Sequence, residues 1–190
     1  NVFENRDAVL IGSGLGLNEQ SERYVIDTLK NVKCPLVIDG DALTIVSKHL
    51  DLLKSCSMPI ILTPHHGEFK RLCFYNDELE MVEKVSQFAS EYGVIVVLKG
   101  PNTIITDGNE VYRNITANKA MATAGMGDVL AGIITSFVGQ GYLPKDAAIL
   151  GTYLHGSCGD IIGDNSYTVI PSKLINLIPK VMHEIINEQK

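Results

Sequence analysis

Four short, uninterrupted apolar runs constrain this chain more than anything else: Ala8-Val9-Leu10-Ile11, Pro35-Leu36-Val37-Ile38, Ile60-Ile61-Leu62 and Val94-Ile95-Val96-Val97-Leu98. None alternates apolar with polar, so each reads as a strand covered on both faces, the pattern of a parallel sheet between helical layers. Amphipathic stretches lie between them: Glu19 to about Lys30, Ala42 to Leu53, and Glu78 to Tyr92. This alternation predicts a three-layer α/β/α sandwich with a mainly parallel central sheet. After the fourth run, Thr103–Thr106 and Glu110–Arg113 flank Asp107-Gly108-Asn109 and read as a hairpin. An apolar helix is expected from the Gly125–Asp128 turn to Val138. A helix rich in small residues follows from Pro144, and a last amphipathic one from Pro171. With 190 residues and no linker or repeat, we expect a single domain over 1–190 with a sizeable core.

The formal net charge is -6 and no basic run occurs, which argues against nucleic-acid or acidic-membrane partners. No apolar run reaches the length of a membrane span. No secretory leader is visible, so a cytoplasmic setting is expected. Cys34, Cys56, Cys73 and Cys158 share no short spacing, which fits reduced thiols rather than a zinc site or disulfide framework.

The polar chemistry clusters where the apolar runs end. Gly12-Ser13-Gly14-Leu15-Gly16 follows the first run, but Leu17 stands where a dinucleotide fingerprint needs its third glycine. Asp39 lies at about the distance of a ribose carboxylate, so a nicotinamide-dependent dehydrogenase is a minor reading. Asp41 is expected to cap the helix after it. His65, His66 and Glu68 share one loop-to-helix corner with Lys70 and Arg71. Adjacent histidines do not match helical metal spacing, so no metal ligand set is expected. Lys99-Gly100 directly after a core strand sets a cation and bare backbone where a phosphate could lie. His155 reads as a structural core histidine.

The densest motif is Ala122-Thr123-Ala124-Gly125-Met126-Gly127-Asp128. Its glycines allow a sharp turn and close backbone approach to a ligand. The helix that follows presents unpaired N–H groups and a positive dipole end, suited to an anion such as a phosphoryl group in transfer. Asp128 beside that anion is placed to accept a proton from a substrate hydroxyl.

On these motifs the chain resembles the ribokinase-like superfamily, and within it the ADP/ATP-dependent NAD(P)H-hydrate dehydratases. The superfamily feature is Ala-Gly-Met-Gly-Asp at 124–128. The narrower resemblance rests on Gly-Ser-Gly-Leu-Gly (12–16), Asp-Gly-Asp-Ala-Leu (39–43), Thr-Pro-His-His-Gly-Glu-Phe (63–69), Leu-Lys-Gly (98–100), Gly-Met-Gly-Asp-Val-Leu-Ala-Gly (125–132) and His-Gly-Ser-Cys-Gly-Asp (155–160), in that order.

The resemblance implies repair of hydrated NADH and NADPH, with ADP or ATP and Mg2+. The nucleotide would phosphorylate the added hydroxyl, and phosphate would then leave. It implies Asp128 as catalytic base. Gly16, His65, His66, Gly67, Glu68, Phe69, Lys70 and Arg71, together with Asp128, would meet the hydrated cofactor. The adenine nucleotide would lie along Lys99, Gly100, Pro101, Asn102 and Thr103. It would also contact Asn118, Lys119, Ala120, Met121, Ala122, Thr123, Ala124, Gly125, Met126 and Gly127, whose last three amides would hold the phosphoryl. Glu68 matches a position that organises magnesium through water in related kinases. A homo-oligomer is also implied. Related sugar kinases carry Asn where this chain has His65, which favours the dehydratase over a small-molecule kinase of a carbohydrate or vitamin precursor. The family's domain has further strand and helix units before position 1, so the chain is expected to lack the N-terminal part. A non-catalytic nucleotide-binding or assembly role is the third reading.

Overall fold

The computed structural model describes residues 3–73 and 79–187. The chain runs β1 (Val9–Ile11), α1 (Glu19–Asn31), β2 (Leu36–Ile38), α2 (Gly40–Val46), α3 (Asp51–Ser55), β3 (Ile60–Leu62), α4 (His66–Leu72), α5 (Met81–Tyr92), β4 (Ile95–Leu98), β5 (Ile104–Thr106) and β6 (Val111–Arg113). A 3-10 turn (Lys119–Met121) then leads to α6 (Met126–Gly139), α7 (Pro144–Gly163) and α8 (Pro171–Asn187). The strands lie in sequence order, β1-β2-β3-β4-β5-β6. β1 to β4 are parallel, and the hairpin β5–β6 adds two antiparallel strands.

Successive strand residues point to opposite faces, which explains the unbroken apolar runs. Leu36, Ile38, Ile60, Leu62, Val96 and Leu98 belong to the core under α1 to α5. Their alternates Val37, Ile61 and Val97 belong to the core under α6 to α8. Both cores need apolar side chains, so neither face can be polar. The fold is the expected α/β/α sandwich. β6 at the sheet edge is exposed along its length and shows no such constraint.

Two expected helices differ. The segment expected as one helix from Ala42 to Leu53 is α2 and α3, separated by a tight turn. There Lys48 and His49 donate to carbonyls three residues back, Ile45 and Val46, and the His49 ring meets Glu22 at 2.7 Å. Glu78, the expected start of the next helix, lies outside the described residues; the described helix begins at Met81.

Candidate active site

The carboxyl ends of β1 to β4 carry the predicted loops, and hydrogen bonds tie these loops to one another. The loop after β1 is stitched to the start of α2. Asp41 N–H donates to the Gly12 carbonyl, and the Asp41 carboxylate accepts the Gly16 N–H at 2.8 Å. This corrects the expected cap role of Asp41. Asp39 takes the cap position, its side chain making no cap bond, and Asp41 lies inside the first turn. Its carboxylate instead fixes the Gly16 backbone.

Asp39 is 2% exposed, and its Oδ1 lies 2.6 Å from Lys99 Nζ. That engagement removes it as a free ribose acceptor, so the dehydrogenase reading loses its acidic residue. Lys99 also lies 3.9 Å from Glu68 Oε2. Three loops therefore meet at one ammonium. β3 and β4 are adjacent and extend this pairing beyond their regular ends: His65 and Lys99 form a parallel bridge, and Lys99 N–H donates to the Pro64 carbonyl.

α4 begins with a reciprocal cap. His65 Nδ1 accepts the Gly67 and Glu68 N–H groups, while Glu68 Oε2 accepts the His65 N–H at 2.7 Å. The imidazole thus does the work usually done by Ser or Thr. The His66 ring bonds the Lys99 carbonyl at 3.1 Å and lies over Gly100. Lys70 and Arg71 are exposed on the same short helix. Phe69 is not available to a ligand, contrary to the expected substrate contact. It is 2% exposed and packs edge to face on Phe88, 5.6 Å between centroids. One side of α4 must face the core, and Phe69 and Leu72, three residues apart, carry its apolar side chains there.

The Lys99–Thr103 turn is closed by the Thr103 hydroxyl, which donates to the Gly100 carbonyl and accepts its N–H. Pro101 and Asn102 project from it, exposed.

At the start of α6 the two glycines have different reasons. Gly125 caps the helix with φ 88°, the left-handed region where a Cβ is costly. Gly127 is helical, and its reason is proximity: a Cβ there would come 3.2 Å from Lys99 Nζ and 3.7 Å from Asp39 Oδ2. The ammonium therefore sits against the first turn of α6. Of the three amides expected to grip an anion, that of Met126 already donates to the Thr123 carbonyl at 3.3 Å. Those of Gly125 and Gly127 make no bond among the described residues, and neither does that of Asp128. Asp128 itself is exposed and makes no ion pair among the described residues. It lines a cavity of about 430 Å3 with Val129, Ile133, Phe137, Ile175 and Ile178.

The remaining predicted segment, Asn118–Ala124, runs from a 3-10 turn capped by Asn118, whose side chain accepts the Ala120 N–H, to the Gly125 turn. His155 is buried as expected, with Nε2 unpartnered among the described residues. Burial pushes its pKa down to about 4, opposed in part by the adjacent Met126 backbone. Sequence reasoning missed the Asp39–Lys99 pair. Its only signal is an acid and a base each directly after a core strand, and nothing in one sequence says those strands are two positions apart.

An exposed carboxylate, unpaired amides at a helix start and a tethered ammonium in one place can activate a hydroxyl and neutralise an anion. The same arrangement defines a class: the chain has the ribokinase-like fold. A solved ribokinase-like superfamily protein from Enterococcus faecalis superposes with a TM-score of 0.86 at 34% identity, covering 96% of this chain and 65% of that one. A solved ADP/ATP-dependent NAD(P)H-hydrate dehydratase from Bacillus subtilis, co-crystallised with ATP and Mg2+, superposes with a TM-score of 0.82. It is 31% identical, with coverage of 95% and 66%. An ADP-dependent (S)-NAD(P)H-hydrate dehydratase from Staphylococcus aureus is 39% identical over 97% of this chain and 67% of its own length. The family model for NAD(P)H-hydrate dehydratase matches residues 2–180. The chain belongs to that family. It spans about two thirds of the length of these relatives, and 36% of a bifunctional repair enzyme from Thermofilum pendens. No helix among the described residues is long and apolar enough to cross a membrane.

Proposed function

We propose that this chain performs nucleotide-dependent dehydration of hydrated NADH and NADPH. The carrying observation is the exposed Asp128 one residue beyond Gly127, whose amide makes no bond among the described residues and whose Cβ position lies 3.2 Å from the Lys99 ammonium. On this reading the Asp128 carboxylate takes the proton of the added hydroxyl. The oxygen attacks the terminal phosphorus of ADP or ATP, and the bond to the nucleotide breaks, releasing AMP or ADP. The carbon–oxygen bond of the new ester then breaks, inorganic phosphate leaves, and loss of a ring proton restores the double bond. The amides of Gly125 and Gly127 and the Lys99 ammonium offset the growing negative charge, in the manner of an oxyanion hole.

The nucleotide lies along Lys99–Thr103 and Asn118–Gly127. The hydrated cofactor meets Gly16, His65 to Glu68, Lys70, Arg71 and Asp128. Magnesium supplies charge neutralisation on the nucleotide phosphates. Asp39 and Glu68 are oxygen donors of the right kind, and both are already engaged by protein groups, which fits a metal held by phosphate and water rather than by a protein cage. Cys34, Cys56, Cys73 and Cys158 as reduced thiols fit a reducing compartment, consistent with a cytoplasmic setting. Family membership extends the same reading to a homo-oligomer.

The test incubates hydrated NADH with ADP or ATP and magnesium, following NADH absorbance and phosphate release. Recovery of NADH with one phosphate per turnover supports the proposal. Nucleotide consumption with another alcohol, and no NADH recovery, would make the chain a small-molecule kinase instead. Binding without turnover would leave a nucleotide-binding protein.

A further inference from the structure

The motif His155–Asp160 is not used by the mechanism above, yet it touches two parts of it. One face of α7 carries residues 152, 155, 156, 159, 160 and 163, spaced three and four apart. Against this face lies the segment that leads into the Gly125 turn. The fit is close enough to exclude side chains. A Cβ at Gly156 would fall 2.3 Å from the Thr116 carbonyl oxygen, one at Gly159 would fall 2.0 Å from Met121 Sδ, and one at Gly163 would fall 2.4 Å from Asn118 Cγ.

Polar contacts fix the register of the segment on the helix. The Thr116 hydroxyl donates to the Tyr153 carbonyl at 3.1 Å. The Asn114 amide donates to the carbonyls of Thr116 at 2.6 Å and Thr152 at 3.5 Å. Asp160 interacts with the Ala117 backbone. One turn earlier on the same helix, the buried ring of His155 meets the backbone of Met126, the first residue of α6. Val169 N–H holds the segment from its other side through the Ala120 carbonyl at 2.8 Å.

We propose that this face of α7 is a positioning element of the site. Its glycines seat residues 116–121 and its histidine lies beside the start of α6, so the two walls that would enclose the nucleotide keep one fixed spacing. Gly156, Gly159 and His155 are positioning residues; none need touch substrate. The link to nucleotide rests on the function proposed above, whereas the seating of the segment does not.

The test is Gly159→Ala in the full chain, with two readouts. Hydrogen exchange should accelerate about tenfold in the amides of 116–121 while the sheet amides keep their protection. ADP affinity should fall about tenfold, with kcat changed less than about threefold. The three atoms nearest the added methyl all belong to the Met121 side chain, so Gly159→Ala combined with Met121→Ala should restore the exchange protection of 116–121. His155→Leu should instead accelerate exchange at 123–127 and lower kcat more than it changes the nucleotide KM. If Gly159→Ala fails to fold, Gly163→Ala, whose added methyl lies nearest the Asn118 side chain, takes its place. Exchange and ADP affinity within about twofold of wild type, or exchange raised equally across the sheet, would overturn the proposal. If the wild-type chain binds no ADP, the proposed function fails while the exchange result still judges the seat.

Discussion

Removing the Lys99 ammonium should cost more than removing its partner, and the asymmetry follows from burial. Asp39 is 2% exposed, and Lys99 is the cation that reaches it, at 2.6 Å. Lys99→Met would leave a buried carboxylate without a counter-charge, a class of change that costs about 3–5 kcal/mol. In Asp39→Asn the ammonium has alternatives. Its side chain keeps 18% exposure, and Glu68 lies 3.9 Å away. That variant should lose about 1–2 kcal/mol, the range for a polar group deprived of one partner. The double variant Lys99→Met/Asp39→Asn removes both charges and should be more stable than Lys99→Met alone by about 2 kcal/mol. Urea unfolding followed by circular dichroism measures all three, provided the slope with denaturant is unchanged. A Lys99→Met loss below about 1 kcal/mol, or losses that simply add in the double variant, would refute the idea that Asp39 depends on this one cation.

Three further outcomes follow from the same geometry. Asp128→Asn should lower turnover about 10²- to 10⁴-fold while ADP binding by titration calorimetry stays close to wild type, and turnover near wild type would reject the base role. Gly127→Ala places a methyl 3.2 Å from Lys99 Nζ. The fold should hold or gain up to about 1 kcal/mol from helix propensity, while phosphoryl transfer falls at least about tenfold because the ammonium must move; unchanged kcat would show that the cation's place is unimportant. His155 has its pKa pushed from 6.5 to about 4 by burial. The unfolded chain therefore binds a proton that the folded chain refuses between those values, and stability falls as pH drops from about 6.5 to about 4, by up to about 3 kcal/mol. His155→Gln should flatten that part of the stability–pH curve, and an unchanged slope would assign it to other groups.

The strands were legible because burial on both faces leaves a signature that depends on the strand alone. Leu36-Val37-Ile38 needs apolar side chains whatever its neighbours are. The ends of those strands were legible for the same reason: polar and glycine residues begin where the two cores stop. What was not legible depends on partners far off in sequence. Asp41 resembles a helix cap in every local respect, and only the approach of Gly16, 25 residues away, decides that its carboxylate faces another loop. Phe69 sits among site-like residues, and Phe88 on α5 turns it into the core. The break between α2 and α3 carries the His49–Glu22 contact, which ties that turn to α1. Gly127 was legible as a needed glycine but for an incomplete reason, since its neighbour Lys99 comes from the end of β4.

These long-range contacts also separate the charges of the site into two kinds. Asp39, Glu68 and Lys99 are buried or nearly so, and each is held by a hydrogen bond or ion pair from another loop. Asp128 is exposed and, among the described residues, held by nothing comparable. A charge that must stabilise a transition state works best when its position is set beforehand, because no reorganisation is then needed as the reaction proceeds. A charge that must accept a proton has to remain within reach of the substrate and unneutralised. On the proposed function, the Asp39 tether on Lys99 meets the first requirement, and the freedom of Asp128 meets the second. Exchanging the two conditions, by pairing Asp128 with a nearby cation or by releasing Lys99 from Asp39, should therefore damage the same reaction through opposite routes. The first route removes the base, and the second leaves the cation mobile.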